Sequence, residues 1–529
     1  MAGYKWAAFF LVICSHAAAQ INRYVVFFTD KSNSPYSLSQ PENFLSTKSL
    51  ARRAKQNISV TANDLPVNPA YIAQVRSSGA KTYFSSRWMN CVLIEISPDS
   101  LAPLQALPFV AQTVFVAPGA KLQGGRTRKF ENSKSSASSS ATASQLQQLG
   151  IDEMQNEGYH GEGLSIAVMD GGFQGADTIS VFHDLFQTSR VKATFDFVGN
   201  TGNVYQYDGH GTQVLSTMAA YASGFTGGVY AADYYLYVTE DVTSEYRVEE
   251  YNWLFAAEKA DSAGVDLINT SLGYNTFDDS TMNYTYSDLN GKTTVIARAA
   301  TFAMQTGMVV VCAAGNEGQT SWHYIDTPAD AVGIIACGAE QLNGQIASFS
   351  SFGPSSDGRI KPDVVALGVE AAVIFPTGMS GTDDGTSFAS PLVASLAAGV
   401  WQAFPNLTAS QVYEVIIGSA DYARTPNNQF GYGTPHFPAV ESYVESPDIV
   451  SVYPNPTAIN SIDIGFKYAT DETSISFFDV FGRLLSQRTT VIDSQNNPLV
   501  YDVSSLSPGI YLIKVSNSEL TATIRFVKL

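Results

Sequence analysis

Apolar residues in this chain come in short runs, and the rhythm of the runs changes along its length. Between about 21 and 118 two patterns mix. Residues 23–29 (R-Y-V-V-F-F-T) and 90–96 (N-C-V-L-I-E-I) read as strands, and residues 69–77 as a short helix. That mixture predicts a small α+β unit. Residues 131–145 (E-N-S-K-S-S-A-S-S-S-A-T-A-S-Q) are Ser/Ala-rich and low in complexity. They read as a flexible linker within 119–145.

From about 146 to 441 short apolar runs alternate with helical stretches. Residues 164–169, 234–238, 265–268, 308–312 and 333–337 read as buried strands, and 211–221 and 387–404 as helices, the second long and apolar. Alternation of this kind predicts an α/β domain, a parallel sheet covered by helices. From 447 onward the period shifts to two. Residues 474–480, 510–515 and 523–527 alternate apolar and polar, and Pro454-Asn455-Pro456 marks a turn. A small all-β sandwich follows.

The first residues have another character. Lys5 precedes an apolar run, residues 6–14, that is too short to span a bilayer, and Ala17-Ala18-Ala19 offers small residues for cleavage. Residues 1–19 therefore read as a signal peptide, with Gln20 first in the processed chain. An N-terminal anchor helix is the competing reading. A lipid on Cys14 is disfavoured by the bulky Ile13 before it.

Charge and cysteine content narrow the classes. The formal net charge of −18 argues against nucleic acid as a partner, since phosphate binding needs a basic face. Beyond Cys14 the chain has Cys91, Cys312 and Cys337, an odd number, widely spaced. That excludes a disulfide framework and shows no zinc spacing. Cys312 and Cys337 lie in apolar runs and read as buried small hydrophobes, with a bridge between them as the alternative.

Three segments of the α/β region carry chemistry. Val168-Met169-Asp170-Gly171-Gly172 puts an acid at the end of a strand. Asp208-Gly209-His210-Gly211-Thr212 opens a helix with histidine. Gly385-Thr386-Ser387-Phe388-Ala389-Ser390-Pro391 opens the long apolar helix with serine. A serine hydroxyl needs an adjacent base to attack a carbonyl. Imidazole titrates near working pH and can take and return that proton. A buried carboxylate fixes its tautomer. Strand ends and helix starts meet at the carboxyl edge of such a sheet. Pro391 is expected in the first helical turn, where proline is tolerated. Ala313-Ala314-Gly315-Asn316-Glu317-Gly318 follows a strand and adds Asn316. Its amide and the Ser387 N–H are candidate donors to an oxyanion.

The order Asp, His, Ser, with the asparagine segment, closely resembles the subtilisin-like serine protease (subtilase) family over about 150–441. The resemblance implies a serine endopeptidase with Asp170, His210, Asn316 and Ser387 in the catalytic roles. It assigns Ser271, Leu272, Gly273, Ala314 and Gly315 to substrate binding, and Phe430-Gly431-Tyr432-Gly433 to the closing segment. Protein or peptide substrates are implied, and no required cofactor. Residues 221–227 lack the ligands of the family's common calcium site, so structural calcium stays open. Gly171 and Gln213 depart from the family's usual Ser/Thr and second histidine, without catalytic consequence. Glu317 and Asp326 are acids expected at the rim and base of the specificity pocket. There they would favour Lys or Arg in the substrate; solvated loop positions suit them equally.

The flanking units have resemblances of their own. Residues 20–118 resemble the family's inhibitory propeptide, with an accessory domain as the other reading. Residues 447–529 resemble a type IX secretion sorting domain through Val452-Tyr453-Pro454-Asn455-Pro456, Asp479-Val480-Phe481-Gly482-Arg483 and Leu506-Ser507-Pro508-Gly509-Ile510-Tyr511. A generic β-sandwich binding module competes. The sorting-domain resemblance implies outer-membrane secretion machinery as a partner and a secreted or cell-surface location. Two other functions compete with the peptidase. A different α/β serine hydrolase would show Gly-x-Ser-x-Gly, which is absent here. A catalytically dead binding protein would lack part of the quartet.

Overall fold

The computed structural model describes residues 21–119, 134–135, 140–446, 449–468, 470–492, 496–517 and 520–529. The segment read as a signal peptide lies outside them. The described residues form two compact units. The smaller is drawn from Val67–Ser85, Met89–Lys121 and residues up to Pro35. The larger takes Tyr36–Pro66, Ser86–Trp88 and the chain from Leu122.

In the smaller unit a four-stranded antiparallel sheet takes the order Lys81–Ser86, Cys91–Ile96, Asn22–Phe28, Val110–Pro118. The helix Pro69–Ser77 packs on it through Val75, which with Val26, Val92, Ile94 and Leu104 makes its own core. Asn68 caps this helix by accepting from the Ala70 amide, and Pro69 fits the first position, where no N–H is needed.

The larger unit is built on a seven-stranded sheet. Its order is Val364–Leu367, Ile335–Glu340, Val309–Ala313, Leu267–Thr270, Ser165–Asp170, Asp233–Val238, Val191–Asp196. Every pairing is parallel. Ser165–Asp170 is buried at all its positions, as expected of a strand covered on both faces. The helix Thr386–Ala403 is buried from Thr386 through Trp401 and packs against these strands. That explains its apolar composition on all sides. Each fully buried Leu, Val or Phe in this core adds roughly 1.5–3 kcal/mol.

The chain from Val450 on folds as two antiparallel sheets of three and four strands around Ile464, Phe477, Ile513 and Phe526. Some details differ from the sequence reading. The last residues of the expected linker form the helix Ser140–Gln148. Its Gln145 is buried and bonded on both sides to Ala372, donating to the carbonyl and accepting from the amide. Lys134–Ser135 pairs with the strand Ser380–Asp383. Cys91, Cys312 and Cys337 are free and buried, so the Cys312–Cys337 bridge does not form. Burial pushes the Cys312 thiol well up, as suits an inert core residue.

Candidate active site

Asp170 ends the strand Ser165–Asp170, and His210 begins the helix His210–Ala219. The imidazole Nδ1 lies 2.8 Å from Asp170 Oδ1 and 2.9 Å from Oδ2. Asp170 is fully buried and His210 nearly so. An ionised carboxylate only accepts, so Nδ1 carries the proton and Nε2 presents its lone pair. Nε2 is buried without a partner. Asp208 holds the helix start by accepting from the His210 amide at 2.9 Å.

The glycines beside His210 are a packing requirement. A Cβ on Gly209 would sit 2.0 Å from Pro376 Cγ, and one on Gly211 would sit 2.4 Å from the Gly172 carbonyl. A side chain at 211 would hold the helix start away from the segment that carries Asp170, and one at 209 would run into Pro376.

Ser387 is the second residue of the helix Thr386–Ala403 and lines the same cleft as His210, a space of about 460 Å³. The adjacent Phe388 ring packs on the imidazole at 5.6 Å between centroids. The Ser387 hydroxyl donates to the Ser271 carbonyl at 3.3 Å, a long bond. Pro391 is the sixth residue of this helix, not in its first turn. It has no N–H to give the Ser387 carbonyl four residues back. The Ser271 hydroxyl supplies that bond at 2.8 Å. Proline thus ties the helical turn that carries Ser387 to the end of the strand Leu267–Thr270, a link that local helix rules did not predict.

Asn316 is oriented by its carbonyl end. Its Oδ1 accepts from the Thr386 amide at 3.0 Å and the Thr386 hydroxyl at 3.1 Å. Nδ2 is left as the donor on the cleft side, next to the first turn of the serine helix.

The expected substrate-binding residues divide. Ser271, Leu272 and Gly273 line the cleft, as does Gly315. Ala314 does not line it. Its amide donates to Cys337 and its carbonyl accepts from Asp326, both at 2.9 Å, so its backbone is engaged behind the cleft wall. Glu317 is half-buried at the cleft. Asp326 is buried beneath Gly273 and Gly315, and the Asn275 amide donates to it at 2.5 Å. Burial pushes its carboxyl up to about 7, against the lowering pull of Asn275. Sequence reading missed Glu240 and Glu245 in the lining. Its one available signal was the acidic stretch 240–250. Seven carboxylates line the cleft, with no Lys or Arg among the described lining residues.

Comparison with known proteins identifies the parts of the chain by family. The profile of the Subtilase family matches residues 161–433. A Peptidase S8 propeptide domain of Bacteroidota matches 23–136, and a secretion system C-terminal sorting domain matches 451–529. The chain is similar to Subtilisin NAT of Bacillus subtilis subsp. natto and Subtilisin E of Bacillus subtilis (strain 168). It is 33% identical to each over 294 residues, covering 54% of this chain and 68% of the relative. It is 29% identical over 290 residues to a Thermostable alkaline protease of Halalkalibacterium halodurans, covering 54% and 70%.

Proposed function

The chain belongs to the subtilase family and is a secreted serine endopeptidase, and from that premise we propose which of its residues do the work. Ser387 Oγ attacks the substrate carbonyl while His210 Nε2 takes its proton. Asp170 holds Nδ1–H and stabilises the imidazolium that forms. The tetrahedral oxyanion receives hydrogen bonds from Asn316 Nδ2 and the Ser387 N–H. As the C–N bond breaks, the imidazolium returns the proton to the leaving amine and an acyl-serine remains. Water, deprotonated by the same nitrogen, then attacks the acyl carbon, and the imidazolium returns that proton to Ser387 Oγ as the acid leaves. Each step uses only the chain's own groups, and this chemistry needs no organic cofactor.

The observation that carries this reading is the Asp170–His210 contact with Nε2 left unpaired, in the cleft that Ser387 and Asn316 also line. Ser271, Leu272 and Gly273 present backbone at the cleft wall to an extended peptide. Glu317 at the rim and Asp326 at the base favour Lys or Arg in the substrate. Residues 20–118 act as the inhibitory propeptide, and its removal between about 119 and 150 frees the cleft. Residues 447–529 are the segment that the outer-membrane secretion machinery engages.

The test compares the purified chain with its Ser387→Ala variant for casein hydrolysis, fluorophosphonate labelling and propeptide loss by mass spectrometry. All three should vanish in the variant. Asn316→Ala should keep labelling but lose about 10²–10³ in kcat, a figure that belongs to subtilisin. Equal behaviour of parent and Ser387→Ala would overturn the assignment.

A further inference from the structure

One wall of the cleft carries acids that the peptidase chemistry does not use. Glu240 and Glu245 are half-buried and line the cleft, and Glu249 lies behind them in the first turn of the helix Val248–Ala263. One oxygen from each comes within 4.8 Å of the others.

Two further observations show that this group is incomplete. Glu249 is fully buried, yet among the described residues its carboxylate meets no N–H donor; what faces it is the carboxyl group of Glu245. Its neighbour Glu250 is equally buried but satisfied: the Tyr284 hydroxyl donates to it at 2.7 Å and the Ile296 amide at 3.2 Å. The Tyr274 hydroxyl is also buried without a partner, and Glu249, Glu240 and Glu245 all act on it electrostatically. A native fold does not leave buried polar groups unsatisfied without a reason. The nearest arginine does not answer the need, because Arg247 donates to the Met282 carbonyl and stacks on Tyr284.

We propose that Glu240, Glu245 and Glu249 bind a calcium ion in the cleft wall, beside the substrate-pairing segment Ser271–Gly273. The donors are all oxygen and mostly carboxylate, which selects a hard cation. Calcium–oxygen distances of about 2.3–2.6 Å place opposed ligands roughly 4.6–5.2 Å apart, which the observed spacing accommodates. The open cleft side supplies the water ligands that complete six- to eightfold coordination. Once bound, the ion pins the 240–245 loop to the start of the helix and stiffens the groove that holds the substrate.

The test uses the full chain carrying Ser387→Ala, so that binding is read independently of proteolysis and a failure here leaves the catalytic assignment intact. Terbium added to this protein should give tyrosine-sensitised emission that calcium displaces, with half-displacement on the order of 10⁻⁴ M. Saturating calcium should raise Tm by about 5 °C. Glu249→Gln should weaken both effects at least about tenfold, by loss of one charged ligand. Glu245→Gln, at the half-buried edge, repeats the test should the buried variant fail to fold. Tyr274→Phe should keep the calcium-dependent rise in Tm while dimming the terbium signal. The site is overturned by the absence of calcium-displaceable emission at about 10 mM, well above extracellular affinities. Calcium effects unchanged in both Gln variants would overturn it too. So would indifference to calcium together with loss of Arg/Lys preference when Glu240→Gln/Glu245→Gln is placed in the chain that keeps Ser387, which would give these acids to the substrate instead.

Discussion

At the scale of single residues the cleft joins two opposite treatments of carboxylates. Asp170 is buried against a histidine, while Asp326 is buried against a neutral amide. Burial raises the Asp326 carboxyl from an ordinary 3.8 to about 7. The folded protein therefore holds a proton that the unfolded chain has lost between those pH values. Stability falls as pH rises through that window, while the charge offered to a basic substrate side chain grows. We predict that cleavage after Lys or Arg, relative to Leu, rises several-fold between pH 6 and pH 8. In Asp326→Asn the ratio should stay flat. Profiling a peptide library at both pH values decides, and an undiminished rise in the variant would remove Asp326 from the pocket.

At the scale of elements the helix Val248–Ala263 does more than cover the sheet. Asp261, fully buried on it, meets three guanidinium groups: Arg52, Arg53 at 2.7 Å and Arg87 at 2.5 Å. One turn earlier, Glu258 accepts from the amides of Arg87 at 2.9 Å and Trp88 at 3.1 Å, and from Ser86. The arginines come from segments inside the propeptide match and lie in the larger unit. Burial alone would raise the Asp261 carboxyl, but Arg87, Arg52 and Arg53 outweigh it and hold it below its ordinary 3.8. Its contribution is thus present above that value and lost as pH falls below it. Asp261→Asn would leave buried guanidiniums uncompensated, at a cost of about 3–5 kcal/mol. Urea unfolding of the Ser387→Ala chain, with and without this change, measures it. An unchanged midpoint would show that the cluster contributes nothing. Sequence periodicity gave no sign of this helix, because residues on every side of it are buried and its acids sit at core positions.

At the scale of the whole molecule, secretion and catalysis lie in separately cored parts of the chain. The C-terminal sheets enclose their own apolar core, and the sorting-domain match fits export through the type IX route to the surface or the medium. Lys467 reaches back and donates to the Val444 and Ser446 carbonyls, both at 2.7 Å. A chain ended at residue 446 loses these bonds, the Lys467–Tyr443 cation–π contact and the packing of Tyr468 on the peptidase core, while that core keeps its own buried residues. It should hydrolyse casein at near parental rate when purified, yet stay inside the cell envelope. Fractionation checks this, and release of the truncated chain to the medium would refute the sorting role.

The sequence by itself determined the α/β core and the flanking α+β and all-β parts, and it named the four residues proposed here as catalytic. These follow from local facts: apolar runs that suit buried strands, and short motifs whose residue types are fixed by proton transfer. Tertiary structure alone decided the Ser271 bond that replaces the one Pro391 cannot give, the withdrawal of Ala314 behind the wall and the meeting of three arginines on Asp261. It also decided the burial of Glu249 against Glu245. Each of these depends on which distant segments the sheet brings together, and hydrogen-bond supply and charge balance at a buried point belong to that meeting rather than to any one stretch of chain.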